Sequence, residues 1–239
     1  MIAHHRPWPL PSGPWVMGQT WTDLLFAHWA VDPEALRPVI HPSIPLDLWE
    51  GQAWIGVTPF AIRGAHPRGL PPPPALASFP ELNVRTYATV DGKPGIHFLS
   101  LDAASAAAVI AARRLYRLPY FRASMRIDVD GDRVTYDSRR LHGPPAEFRA
   151  NYGPVGPARA ATPGTLDWWL AERYCLYTVD ARGRLLRGDI HHPPWPLQPA
   201  AADIARNTML APYGIELLGD PLLHFARRQD VLIWPLTPA

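Results

Sequence analysis

Cysteine and lysine are nearly missing from this sequence. Its 239 residues include one of each, Cys175 and Lys93. A single thiol excludes an intramolecular disulfide and any zinc site built on cysteine. A single lysine restricts imine chemistry to one position, because the 22 arginines stay charged and form no imine. Long apolar runs are absent as well. The best candidate, residues 103–112, is Ala-rich and runs into Arg113, well short of the roughly 18 residues of a membrane span. The first thirty residues hold no continuous apolar segment of the signal-peptide kind, so the expected location is cytoplasmic, with no membrane partner. A net charge of +2 is too mild to predict nucleic-acid binding. No Gly-x-Gly-x-x-Gly, P-loop or Gly-x-Ser-x-Gly occurs, so no nucleotide cofactor and no serine-hydrolase elbow is expected.

Apolar residues are plentiful, at 47% with ten tryptophans, and this excludes a disordered chain. Proline stands out at 30. No composition shift divides the chain, so a single domain over residues 1–239 is expected. Residues 5–14 are too Pro-rich for helix or central strand. Asp32 caps a short helix with Pro33 in its first turn. Residues 52–60 read as a buried strand and 61–80 as a long loop.

The centre is clearest. Residues 81–90 alternate, with Glu81, Asn83, Arg85 and Tyr87 on one face and Leu82, Val84 and Thr86 on the other. Residues 91–95 turn the chain and 96–101 return as a second arm. Asp102 is read as the cap of an Ala-rich helix that Pro119 stops. Residues 121–129 and 133–140 form another hairpin, and 142–163 read as irregular. A capped helix over 165–174, strands over 175–178 and 185–191, a helix over 200–209, and two or three strands over 215–236 complete the pattern. Helices placed between hairpins argue for an α+β fold with a mainly antiparallel sheet. Residues 4–10 and 191–197 share six of seven residues, His-His-x-Pro-Trp-Pro-Leu. These read as two staples that clasp similar surfaces.

Six segments carry a family resemblance. They are Trp21-Thr-Asp-Leu-Leu-Phe-Ala-His-Trp29, Phe79-Pro-Glu-Leu-Asn-Val-Arg-Thr-Tyr87, Gly164-Thr-Leu, Glu172-Arg-Tyr-Cys-Leu-Tyr177, Ile190-His-His-Pro-Pro-Trp-Pro-Leu197 and Leu222-Leu-His-Phe-Ala-Arg227. Through them nearly the whole chain resembles the YqjF-like family of bacterial proteins. That family is more weakly similar to acetoacetate decarboxylase, through residues 32–47, the turn at 91–95 and Arg113-Arg-Leu-Tyr-Arg-Leu-Pro119. The resemblance implies an acetoacetate decarboxylase-like fold: a mainly antiparallel, partly closed sheet around a small-molecule pocket, with helices packed outside. It also points to self-association as a homo-oligomer. Two lysines follow this proline in the decarboxylases, the first forming the imine; here Tyr120 and Phe121 stand there. The decarboxylase pocket arginine and one glutamate fall near Thr22 and Trp54, and the other glutamate matches Glu81. Schiff-base decarboxylation is therefore expected to be lost.

Within that pocket Glu81 is the candidate acid/base and Tyr120 a hydrogen-bond donor. Arg85, Tyr87, Arg113 and Arg126 are candidate ligand-binding residues, the arginines as clamps for a small polar or anionic metabolite. The plainer alternatives are a solvent-facing, salt-bridged strand face for Glu81, Arg85 and Tyr87, a core tyrosine with a satisfied hydroxyl for Tyr120, and a solvated helix face for the arginine run. No metal site is expected, because His191 and His192, adjacent on a strand, point to opposite faces. Three readings stay open: an enzyme working without an imine, a binding module that keeps only the pocket, and an interaction protein using its Pro/Trp segments.

Overall fold

The computed structural model describes residues 3–239. Eleven strands form one sheet, and the helical pieces among the described residues are all short. The chain runs β1 (Met17–Val31), α1 (Pro33–Leu36), β2 (Ala53–Pro67), α2 (Pro74–Ala77), β3 (Phe79–Val90), β4 (Lys93–Ala103) and α3 (Ala106–Leu115). It continues through β5 (Tyr120–Asp130), β6 (Arg133–Arg140), β7 (Glu147–Pro154), α4 (Leu166–Ala171), β8 (Cys175–Val179), β9 (Leu185–His191), β10 (Gln198–Asn207) and β11 (Leu222–Pro238). The mainly antiparallel sheet is as expected. The helical share is smaller than an α+β reading implies, and the longest helix, α3, has 10 residues.

Three expectations fail for identifiable reasons. Residues 200–207, expected as helix, belong to strand β10, because Ala200, Ala202 and Ile204 turn inward with period two and pair with β7. Alanine's helix propensity loses to that pattern. Asp102 caps nothing: β4 runs on to Ala103, and Ser105 caps α3 by accepting from the Ala108 amide. The loops assigned to 61–80 and 142–163 conceal the end of β2 and all of β7. At the 91–95 turn only Asp91 and Gly92 leave the strands. Both have positive φ, 49° and 70°, the signature of a type I′ hairpin.

The sheet closes on itself. β1 pairs with both β2 and β11, and β4 pairs with both β3 and β8, so β1, β2, β3, β4, β8, β9 and β11 form a ring of seven. Where β4 meets β8 the backbones approach closely. A Cβ on Gly95 would lie 2.6 Å from Cys175 Sγ and 2.8 Å from its carbonyl oxygen, so glycine is what lets the ring shut there. Strands β5, β6, β7 and β10 make a second layer between β4 and β11.

Two apolar clusters follow from this layout. Leu25, Ala27, Ile55, Val57, Leu82 and Val84 pack outward against Tyr136, Phe148 and Tyr152 of the second layer. Leu24, Phe26, Phe60, Phe79, Ile96 and Phe98 point the other way, against Val109 of α3 and Leu170 of α4. No helix among the described residues is long and apolar enough to cross a membrane.

Candidate functional site

The parity read from the sequence holds along β3. Leu82 and Val84 enter the outer cluster, while Glu81, Asn83, Arg85 and Tyr87 are all buried on the face turned into the ring. The four then part company. Glu81 and Asn83 line a cavity of about 160 Å³, and every strand of the ring contributes to its wall, from Trp21 of β1 to Ile233 of β11. Tyr120, first residue of β5, reaches the same cavity because β5 starts beside Leu101 of β4.

Glu81 and Tyr120 meet there. The Tyr120 hydroxyl donates to Glu81 Oε2 at 2.9 Å, and both side chains are buried. The Tyr136 hydroxyl fixes the backbone at the same residue, donating to the Glu81 carbonyl at 2.7 Å. Burial pushes the Glu81 carboxyl up from about 4.5 to about 8; the Tyr120 bond works against this, and the nearby Asp102 adds to it. At neutral pH Glu81 therefore holds its proton. Burial and Glu81 together drive the Tyr120 hydroxyl well above its ordinary range, so it stays a donor.

Arg85 and Tyr87 do not line the cavity. Farther along the ring they join a buried polar cluster, in which Arg85 Nε, His28 Nδ1 and Arg173 Nη2 have no hydrogen-bond partner. The Tyr87 hydroxyl lies 2.8 Å from His28 Nε2 and donates to the Leu170 carbonyl at 3.1 Å. The Arg85 guanidinium sits 5.0 Å over the Phe26 ring, with Nη2 directed to the same carbonyl at 3.4 Å. Beside them Arg173 donates to Asp47 at 2.6 Å and stacks 4.3 Å from the Trp169 ring. Burial, with Arg85 and His224 nearby, holds His28 well below the usual histidine range, so its ring is neutral.

The remaining arginine clamps are elsewhere. Arg113 lies exposed on α3, 5.6 Å over the Phe121 ring. Arg126 points outward from the β5–β6 hairpin, its side chain 81% exposed and 3.9 Å from Asp128. Among the described residues no arginine lines the cavity: Arg126 lies six positions along β5 from Tyr120, beyond the ring, and Arg113 sits on the solvent side of α3. His97 bonds the Tyr177 carbonyl at 3.0 Å, and Asp102 is locked to Arg140. Among the described residues no group of three or more His, Cys, Asp or Glu side chains is placed to hold a metal ion.

The repeated segments converge on one place. His5 Nε2 is 2.9 Å from the His192 carbonyl, Arg6 lies 4.7 Å over the Tyr174 ring, and His192 stacks on the same Tyr174 ring at 4.5 Å. Trp195 buries its ring, and its amide donates to Glu172 at 2.8 Å. The two copies thus clasp a single hub and each other.

Sequence reading missed Gln19, Tyr116 and the α3 face of Ala108, Ala111, Ala112 and Leu115, all of which line the cavity. The signal was present in part: 108, 111, 112 and 115 have the spacing of one helix face. Asn83, already placed on Glu81's face, gains weight because its buried Oδ1 has no hydrogen-bond partner.

Comparison with known proteins agrees with this architecture. The chain is 49% identical over 228 residues to "Uncharacterized protein YqjF" of Bacillus subtilis (strain 168), covering 95% of this chain and 94% of that protein. Among solved structures it is similar to the enduracididine biosynthesis enzyme MppR complexed with pyruvate, with a TM-score of 0.65 at 12% identity over 95% of this chain and 91% of that one. An acetoacetate decarboxylase-like enzyme from Sphingomonas wittichii RW1 gives a TM-score of 0.62 at 13% identity, covering 99% of each chain. At such identities the likeness is one of fold, and that fold is acetoacetate decarboxylase-like. Residues 18–230 match the DUF2071 family, described as an uncharacterized conserved protein, and the chain belongs to that family.

Proposed function

We propose that this protein takes up a small molecule in the ring cavity and presents the protonated Glu81 carboxyl to it as a hydrogen-bond or proton donor, without an imine. The observation that carries this reading is the Tyr120–Glu81 bond inside a mainly apolar cavity. Tyr120 occupies one carboxyl oxygen and fixes the rotamer, so the other oxygen is left for a ligand. A neutral acid near pH 7 is a competent general acid, because its pKa lies close to the working pH.

Imine chemistry has no residue to use. Lys93 begins β4 at the hairpin, ten positions along the strand from Ala103, the partner of Glu81. That is roughly 30 Å of strand. Borohydride reduction in the presence of acetoacetate, read by intact mass, is expected to leave no adduct on Lys93.

A binding module without catalysis is the second reading. What favours it is the lack of any Lys, His, Cys or Ser among the residues that line the cavity. Glu81→Gln, assayed with a panel of small carboxylates and ketones, separates the two. Lost turnover with binding retained makes Glu81 the acid of an enzyme. Weakened binding, with no turnover in either protein, makes it a binding group. Binding and turnover both unchanged in the variant overturn the role given to Glu81.

A further inference from the structure

We infer that the cavity selects a neutral, mainly apolar molecule about the size of benzene that carries one carbonyl or hydroxyl group, and that it rejects anions. This rests on the reading of Glu81 as a donor and adds the class of ligand. The wall supplies the first argument. Of its 22 residues only Gln19, Glu81, Asn83, Tyr116 and Tyr120 carry a polar group other than an indole, and none is cationic. An anion moved from water into such a place keeps little of its hydration and meets no compensating charge among the lining residues. Arg85, the arginine of β3, does not line the cavity and directs its guanidinium to the Leu170 carbonyl and the Phe26 ring.

The polar groups that remain are grouped and complementary. Glu81 and Asn83 are two apart on one strand face, their Cα atoms roughly 7 Å from each other. The first has a proton to give, and the second has a buried Oδ1 without a partner. A ligand carbonyl accepts from Glu81; a hydroxyl also donates to Asn83. Gln19 is already committed, its Oε1 accepting from the Trp21 indole at 2.7 Å.

Size and access point the same way. A volume near 160 Å³ is that of an apolar cavity known to admit benzene, about 150 Å³. Leu115 lines the cavity and is also 70% exposed, so the mouth opens beside α3. The helix face over that mouth is alanine at 108, 111 and 112, and the space exists because those side chains stop at Cβ.

The test compares 2-hexanone with hexanoate, two probes of nearly equal size that differ in charge, by ligand-observed NMR at near-neutral pH. 2-Hexanone is expected to bind at least about tenfold more tightly. Ala111→Phe, which fills the mouth, is expected to weaken 2-hexanone by about tenfold or more, and Ala108→Leu serves if the first variant does not fold. Equal or tighter binding of hexanoate overturns the inference. So does undiminished 2-hexanone binding in a folded, filled variant, or no 2-hexanone binding at millimolar concentration. Failure of the donor reading looks different: 2-hexanone keeps its advantage, yet its affinity stays flat through pH 8 and is unchanged in Glu81→Leu, which has no donor to offer.

Discussion

Two buried carboxyl groups stand almost side by side in this protein and are treated in opposite ways. Glu81 on β3 pairs with Ala103, and Asp102 pairs with Leu82, so one register step separates them. Asp102 receives three bonds from Arg140, at 2.8 to 3.1 Å, under a Phe121 ring 3.9 Å from the guanidinium. Glu81 receives one, from a phenol. Burial raises the pKa of both; at Asp102 the Arg140 bonds pull it back. The fork at Asp102 is that of an ion pair, and it ties β4 to β6. Depth alone therefore does not decide whether a carboxyl is a structural anchor or a chemical group; the partner does.

The pH dependence of stability is where the two should differ most. Glu81 keeps its proton in the fold up to about 8, whereas an unfolded glutamate loses it near 4.5. Between these values the folded chain binds more protons, so the contribution is full below 4.5, falls as pH rises, and is gone above 8. It amounts to about 5 kcal/mol at most. Urea unfolding across this range should show Glu81→Gln losing that slope, its stability rising relative to the parent as pH increases. Arg140→Met comes next: it strands Asp102 in the interior and should cost about 3–5 kcal/mol. Adding Asp102→Leu should recover much of that loss, and if it does not, the pair is not the anchor described here. Tyr120→Phe has the smallest effect, about 1 kcal/mol in stability. Because the Tyr120 bond lowers the Glu81 pKa, carbon-13 NMR of the Glu81 carboxyl should find it titrating higher in this variant.

β3 was legible because its signal is local: period two, polar on one side and apolar on the other, with a tight turn after it. Glu81 and Tyr120 were legible only through family resemblance, since no spacing rule brings residues 39 apart into contact. Arg85 and Tyr87 had the right face, but the sequence did not say where along the ring the cavity ends and the polar cluster at His28 begins. Arg113 and Arg126 looked like an anion site because they are close in sequence, and the fold turns both to solvent. Asp102 looked like a helix cap because its partner, Arg140, lies two strands away. β10 and β7 were hidden by alanine, glycine and proline, whose local preferences oppose the pairing that tertiary contacts impose.

The ring closes between its most distant members. β1 and β11 pair along their lengths, and the Thr20–Asp230 and Asp23–Arg227 contacts join residues 210 and 204 positions apart. Residues 5 and 6 wait similarly for 190 and 192. On a ribosome the earliest part of the barrel to emerge is thus among the last to find its neighbours. Until β11 is made, β1 has one edge unpaired and the cavity wall is incomplete. Such high contact order predicts slow folding and a nascent chain that needs protection while its first strand stands open.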